Sequence, residues 1–247
     1  MKIFKVIVTL TVLFVLGYLT VSCGPAPHPN PSTTSTETTA ASTPNGTIVA
    51  AASDILDVYF IDVGQGDSIL IDHEETNVSL VCANFMASAA KKDSQGFVGK
   101  RGDIINAGDL SFTVLSPTAD PAATANDNSL VLSLRYGTVD FLFTGDAGEE
   151  VERSMTSASD IPLSGLEILK AGWHGCREAS STELLNVIKP EIAVYMAGEI
   201  DRLGYPHQET LDRLAQAGAK VFGTDINGTI IIKTDGITYE VIPDKSR

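Results

Sequence analysis

The folded part of the chain opens with the stretch Leu56-Asp57-Val58-Tyr59-Phe60-Ile61-Asp62-Val63-Gly64-Gln65-Gly66-Asp67-Ser68-Ile69-Leu70-Ile71. Two runs rich in β-branched and apolar residues flank a Gly-x-Gly-Asp turn, a pattern that predicts a β-hairpin. Gly64 and Gly66 tolerate backbone angles that other residues avoid, and we expect Asp67 to hold the turn through local side-chain hydrogen bonds. A hairpin is therefore the first predicted element of the domain.

Composition limits the class of protein. With 247 residues and 43% hydrophobic residues, the chain can hold one large globular domain or two small ones. Its formal net charge is -14 at pH 7, and its basic residues show no cluster beyond the short pair Lys100-Arg101. Affinity for a phosphate backbone depends on clustered Lys and Arg. The charge therefore disfavours nucleic acid as a partner, although a local patch or a metal site could overcome it.

Residues 1–23 have the layout of an export signal. Two lysines precede an apolar run from Val6 to about Ser22, which ends at Cys23. The segment Thr20-Val21-Ser22-Cys23 resembles the bacterial lipobox, in which the cysteine is lipidated, although the position usually held by leucine is Thr20. A lipoprotein, an uncleaved membrane anchor and a secreted protein are the alternatives. Each of them places the domain outside the cytoplasm, and the first two attach it to the membrane.

Residues 24–53 are rich in proline and then in Ser, Thr and Ala. Such a segment cannot bury enough apolar surface to order itself, so it is predicted to be a disordered tether. The folded domain is then predicted to span residues 54–247. Beyond Cys23 the chain has Cys82 and Cys176, which in an oxidising compartment could form one disulfide or remain two buried thiols.

Local patterns predict the later elements. Hairpins are expected over residues 102–115 and 130–143, and helices over residues 182–188 and 209–217. Asp146 follows an apolar run and stands three residues before Glu149, which is the spacing of a capping box. Local chemistry alone therefore predicts that Asp146 caps a helix reaching Met155, a role compatible with a second one in a site.

Four later motifs, taken in order with the opening stretch, resemble the metallo-β-lactamase-fold domain of ComEC-type competence proteins and their free-standing relatives. They are Asn128-Ser129-Leu130-Val131-Leu132, Phe141-Leu142-Phe143-Thr144-Gly145-Asp146-Ala147, Ile168-Leu169-Lys170-Ala171-Gly172-Trp173-His174-Gly175 and Gly204-Tyr205-Pro206-His207-Gln208-Glu209-Thr210-Leu211. The resemblance spans nearly all of residues 54–247. It implies a shortened αββα sandwich of mixed α and β structure, in which helices cover two mixed sheets.

The chain departs from the family pattern at three places. Relatives normally carry a strand ending in Asp-Gly and then a His-x-His-x-Asp-His motif after the second strand, and neither is present. The short interval holds only Asp72-His73-Glu74-Glu75, with one histidine that is a weak substitute. Trp173 stands where relatives have a histidine next to His174, and Tyr205 stands where they often have another.

The resemblance implies catalytic and metal-binding roles for Asp146 and His174, and substrate binding by Asp67 and His207. A working family site uses two metals, usually zinc or manganese, to activate a bridging water and clamp a phosphate or ester. With so few ligands, this chain is expected to hold at most one Zn or Mn. His174 could instead be a satisfied loop histidine. His207 could donate to a bound phosphate at a helix start, or simply cap or pack.

Two classes of function remain open at this point. One is a tethered metallo-hydrolase, by resemblance a nuclease or phosphodiesterase linked to DNA uptake. The other is a pseudoenzyme, a binding or scaffold domain that keeps the fold and has lost the dinuclear centre. The missing motif, Trp173 and Tyr205 favour the second class.

Overall fold

The computed structural model describes residues 6–12, 18–22, 54–74, 76–81, 94–118, 126–159, 161, 163–199 and 203–246. Cys23, the predicted tether and Cys82 lie outside these residues, so lipidation and a disulfide stay predictions. Cys176 is buried and forms no disulfide with another described residue. Nowhere in the described residues is there a helix with the length and apolar content needed to span a membrane.

The first sheet contains eight strands of the described chain. They are β1 (Val6–Val12), β2 (Tyr18–Ser22), β3 (Leu56–Phe60), β4 (Ser68–His73), β5 (Thr76–Val81), β6 (Ser94–Val98), β14 (Ile230–Thr234) and β15 (Tyr239–Pro243), in the order β15-β14-β3-β4-β5-β1-β2-β6. Strands β3 and β4 pair antiparallel, with Phe60 opposite Ile69, so the predicted opening hairpin is confirmed. Strands β1 and β2 fall in the segment assigned to the export signal, and that assignment stays a prediction.

The second sheet contains seven strands of the described chain. They are β7 (Ile104–Ala107), β8 (Leu110–Ser116), β9 (Val131–Tyr136), β10 (Val139–Phe143), β11 (Ile168–Lys170), β12 (Ile192–Tyr195) and β13 (Lys220–Gly223), in the order β13-β12-β11-β10-β9-β8-β7. Strands β7 to β10 are antiparallel, which confirms both further hairpins. Strands β10 to β13 are parallel, so their carboxyl ends meet at one edge.

Three helices cover the outer face of the second sheet, and a fourth, short one follows its last strand. They are α1 (Glu149–Thr156), α2 (Thr182–Ile188), α3 (Gln208–Gln216) and the short α4 (Thr224–Asn227). Helix α2 starts as the sequence predicts, because the Ser181 side chain accepts a hydrogen bond from the Leu184 amide at 3.2 Å. Val151, Met155 and Leu184 pack with outward-facing residues of the sheet to form an apolar layer.

A larger apolar core fills the space between the two sheets. Phe60, Phe112 and Phe141 are completely buried there. Burying each such side chain stabilises the fold by about 1.5–3 kcal/mol. The molecule is thus a mixed α+β sandwich of two sheets, as the sequence predicts. His73 belongs to this framework, because its Nε2 lies 2.9 Å from the Tyr136 hydroxyl, which itself donates to the Asp54 carbonyl.

Candidate functional site

The candidate site lies where the parallel strands of the second sheet end. Asp146 follows β10, His174 follows β11, and Met196 follows β12 directly. The loop between β3 and β4 brings Asp67 from the first sheet to the same edge. Ligands of open α/β sheets usually bind outside the carboxyl ends of parallel strands. The topology therefore assembles residues more than one hundred positions apart.

The loop from β3 to β4 is held by Asp62. The Gly64 amide donates to Asp62 Oδ1 at 3.0 Å, and the positive φ angles of Gly64 (75°) and Gly66 (138°) complete the turn. The prediction that Asp67 provides these local bonds is therefore wrong. The loop is tied to the second sheet by Gln65 Oε1, which accepts from the Gly198 amide at 3.2 Å.

Asp67 instead forms an ion pair with Lys170. Lys170 Nζ lies 2.5 Å from Asp67 Oδ2, and the lysine side chain is fully buried. The same ammonium donates to the Gly145 carbonyl at 3.0 Å. Asp67 Oδ1 is buried and has no hydrogen-bond partner among the described residues. Burial alone would raise the pKa of Asp67, but Lys170 and His174 hold it below its ordinary value.

His174 lies between the two aspartates. Its Nδ1 is 2.8 Å from the Met196 carbonyl, which can only accept, so Nδ1 carries the hydrogen. Nδ1 is also 3.4 Å from Asp67 Oδ1, and Nε2 is 3.4 Å from Asp146 Oδ1. Burial lowers the pKa of His174, but the nearby carboxylate of Asp67 outweighs it and raises the pKa above its ordinary value. A proton on either His174 Nε2 or Asp146 Oδ1 makes the contact between these two atoms attractive, because one then donates to the other.

Asp146 does not cap helix α1, so that prediction is wrong. The residue preceding the helix is Gly148, and no side chain caps the helix start. The Glu149 amide donates to the Glu178 carbonyl at 2.9 Å, so a loop supplies the acceptor that a capping side chain would offer. Asp146 is therefore free to face the site. Burial raises its pKa above the ordinary value, although Lys170 opposes the shift.

The loop that follows His174 is fixed by buried polar contacts. Completely buried Glu152 accepts from the Ser180 amide at 2.6 Å and the Ser181 amide at 2.7 Å. Ser180 Oγ in turn accepts from the Gly172 amide at 3.2 Å. Arg213 donates to the carbonyls of Ala179 and Ser180. Both sides of the His174 turn are thus anchored to helices α1 and α3.

His207 stands at the rim and is not joined to the cluster. It occupies the position before α3 but makes no side-chain cap bond. Its Nδ1 accepts from the Arg177 amide at 3.1 Å, and its ring meets Tyr205 edge-on with centroids 5.2 Å apart. The Tyr205 ring in turn lies 6.2 Å from the His174 ring. His207 therefore packs against Tyr205, and its contact with a substrate remains a prediction.

Three curated proteins resemble this chain over about half its length. A stretch of 131 residues is 37% identical to ComE operon protein 3 of Bacillus subtilis (strain 168), covering 53% of this chain and 17% of that protein. Stretches of 121 residues are 27% identical to Recombination protein 2 of Haemophilus influenzae and 29% identical to Competence protein ComA of Neisseria gonorrhoeae. Each covers 49% of this chain, and 15% and 17% of those relatives. No protein-family model matches the chain.

One of these relatives is named a competence protein, Competence protein ComA, in agreement with the resemblance found in the sequence. The chain spans only about a sixth of each of them. The activity of the relatives as whole proteins can therefore be proposed for this chain but does not follow from the similarity alone.

The described donor set does not fit a dinuclear metal centre. No group of three or more His, Cys, Asp or Glu side chains among the described residues is placed to hold a metal ion. One carboxylate oxygen of Asp67 is engaged in the ion pair with Lys170, and Nδ1 of His174 is engaged in the hydrogen bond to the Met196 carbonyl. Asp67 Oδ1, His174 Nε2 and the Asp146 carboxylate remain, whereas one tetrahedral ion alone takes four ligands.

Lys170 is the residue of the site that the sequence analysis missed. The sequence contains one signal that could have identified it, because a lysine at the end of the apolar run Ile168-Leu169 is unusual. Lysine is almost never fully buried unless it is paired. Its partner could not be named from the sequence, since Asp67 lies in a distant loop.

Proposed function

We propose that this chain is an extracytoplasmic, membrane-tethered domain of competence type with a metallo-β-lactamase-like fold and a degenerate metal site. It takes part in DNA uptake as a non-catalytic binding or scaffold domain. Its attachment to the membrane runs through a lipid on Cys23 or through an uncleaved N-terminal anchor. The similarity to competence proteins supports the process, and the composition of the site supports the loss of standard dinuclear catalysis.

The single observation that carries the loss of catalysis is the closed ion cluster of Asp67, Lys170, His174 and Asp146. The groups that could bind metal are already paired with each other or with a backbone carbonyl, at distances between 2.5 and 3.4 Å. A dinuclear phosphodiesterase needs open coordination positions for water and substrate. Asp67 Oδ1, His174 Nε2 and the Asp146 carboxylate are the donors not engaged by Lys170 or a backbone carbonyl, and they are too few for two metals.

Metal content and turnover test the proposal. The full chain is purified in detergent, its zinc and manganese are measured by mass spectrometry, and hydrolysis of bis(p-nitrophenyl) phosphate and single-stranded DNA is followed with added Mn²⁺. We expect at most one weakly held metal per chain and the same background rate in wild type and Asp146→Ala. Two tightly held metals, with turnover abolished by Asp146→Ala, would refute the proposal.

One observation favours an active metal-dependent phosphodiesterase as the second candidate. His174 Nε2 and Asp146 Oδ1 lie 3.4 Å apart. Two ligands about 2.0–2.2 Å from one tetrahedral zinc have a similar separation. A single ion held there would activate a water, and the turnover measurement above separates this enzyme from the non-catalytic domain.

A further inference from the structure

We propose that the buried ammonium of Lys170 is the permanent cation of this site, stabilising its aspartates as a bound metal would, and that removing it opens a site for one small cation. The inference rests on the proposed function and explains how the cluster persists without a dinuclear centre. The ligand class of the opened site is a primary alkylammonium ion or a single divalent metal.

Burial makes a cation necessary at this position. The side chains of Asp67 and Asp146 are only 14% and 12% exposed. Isolated carboxylates in such surroundings are strongly destabilising unless a partner compensates their charge. Lys170 Nζ, at 2.5 Å, is the strongest contact of Asp67, whose Oδ1 finds no hydrogen bond among the described residues. The ammonium therefore supplies the nearest compensating charge of Asp67, and His174 lies 3.4 Å from both carboxylates.

Lys170 also joins the two loops that carry the aspartates. Its Nζ contacts Asp67 in the β3–β4 loop and donates to the carbonyl of Gly145, the residue before Asp146. A metal bridging two carboxylates would likewise connect both loops through one charge. The Lys170 stem reaches this point from β11, so the cation is covalently attached to the sheet and needs no free ion.

Chemical rescue of Lys170→Ala in the full, detergent-solubilised chain tests the proposal. The atoms removed correspond to n-propylamine, so n-propylammonium is the matched probe, and tetramethylammonium at equal ionic strength has the charge without N–H donors. Lys233→Ala is the matched control, because Lys233 forms an exposed pair with Asp57 at 3.3 Å. We expect Lys170→Ala to lower Tm by roughly 6–20 °C and Lys233→Ala to change it little.

In the supporting result, n-propylammonium or Zn²⁺ raises the Tm of Lys170→Ala in a concentration-dependent manner and leaves wild type and Lys233→Ala unchanged. A folded Lys170→Ala that responds to neither probe, or equally to tetramethylammonium, overturns the proposal. If Lys170→Ala does not fold, the double variant Asp67→Asn/Lys170→Met decides. Recovered folding supports charge compensation, and failure to fold shows that the lysine acts through packing.

These outcomes are separate from those of the proposed function. Failure of the proposed function appears in the wild-type protein, as two metals and turnover dependent on Asp146. Failure of this inference alone appears in Lys170→Ala, while wild type remains without a dinuclear centre.

Discussion

Replacing Glu152 by alanine should loosen the loop that carries His174. The change removes the acceptor of two backbone amides, Ser180 N at 2.6 Å and Ser181 N at 2.7 Å. A buried donor left without a partner costs about 1–3 kcal/mol. The Ser180 amide is buried, so its loss of a partner has the full effect, whereas Ser181 is half-buried and its amide can bind water instead. The expected loss is therefore about 2–4 kcal/mol, or a fall in Tm of roughly 4–16 °C.

Thermal unfolding followed by circular dichroism measures the loss, and Glu150→Ala on the same helix is the control. Glu150 is 77% exposed and pairs with Arg153 at 2.8 Å, so its removal should change stability by less than about 0.5 kcal/mol. A Glu152→Ala variant as stable as Glu150→Ala would refute the role assigned to the buried carboxylate. The isosteric Glu152→Gln keeps one acceptor oxygen and should lie between wild type and Glu152→Ala.

The difference in stability between wild type and Glu152→Gln should depend on pH, because Glu152 is buried. Burial raises the pKa of Glu152 above its ordinary value despite the two amide hydrogen bonds. A group whose pKa is raised on folding contributes stability that is fully present below its unfolded pKa, near 4.3, and is lost as the pH rises through the folded pKa. Wild type should therefore lose stability relative to Glu152→Gln over that interval, and a gap that widens instead would contradict the assignment.

The remaining predictions concern the site, the framework and the membrane. Asp146→Asn should leave the thermal stability unchanged or raise it, because Asp146 is a buried carboxylate and caps no helix; a loss of about 0.5–2 kcal/mol would restore the capping interpretation. Tyr136→Phe should destabilise the fold by about 1–3 kcal/mol in denaturant unfolding, because buried His73 loses its partner at 2.9 Å, and an unchanged midpoint would contradict this. Cys23→Ser should move the protein from the membrane pellet to the soluble extracytoplasmic fraction, and retention in the pellet would indicate an uncleaved anchor.

Elements with a regular local pattern could be predicted from the sequence. The alternation of apolar residues on either side of Gly64 and Gly66 determines the β3–β4 hairpin, because one face of each strand must be buried. Helix α2 is likewise determined locally, by Ser181 at its start and Pro190 beyond its end. In both cases the information lies within a few residues of the element.

The two wrong predictions have a common cause in long-range contacts. Asp146 and Glu149 satisfy the spacing of a capping box, but Glu178 supplies the acceptor for the Glu149 amide and displaces the start of the helix. Asp67 follows a glycine turn, but a buried ammonium attracts it away from the turn, which Asp62 then holds. Local patterns predict what is favourable in isolation, and tertiary contacts select among the alternatives.

The turn at Trp173 and His174 indicates that this chain fixes its site with its own contacts. Both residues have positive φ angles, 45° and 55°, a conformation that costs about 1–2 kcal/mol for each non-glycine residue. Three hydrogen bonds offset the cost: the Trp173 amide to Gly145, the Cys176 amide to the Trp173 carbonyl, and His174 Nδ1 to Met196, at 3.0, 2.8 and 2.8 Å. Each of these contacts is internal to the protein. The strained turn can therefore keep His174 between the two aspartates without help from a metal ion.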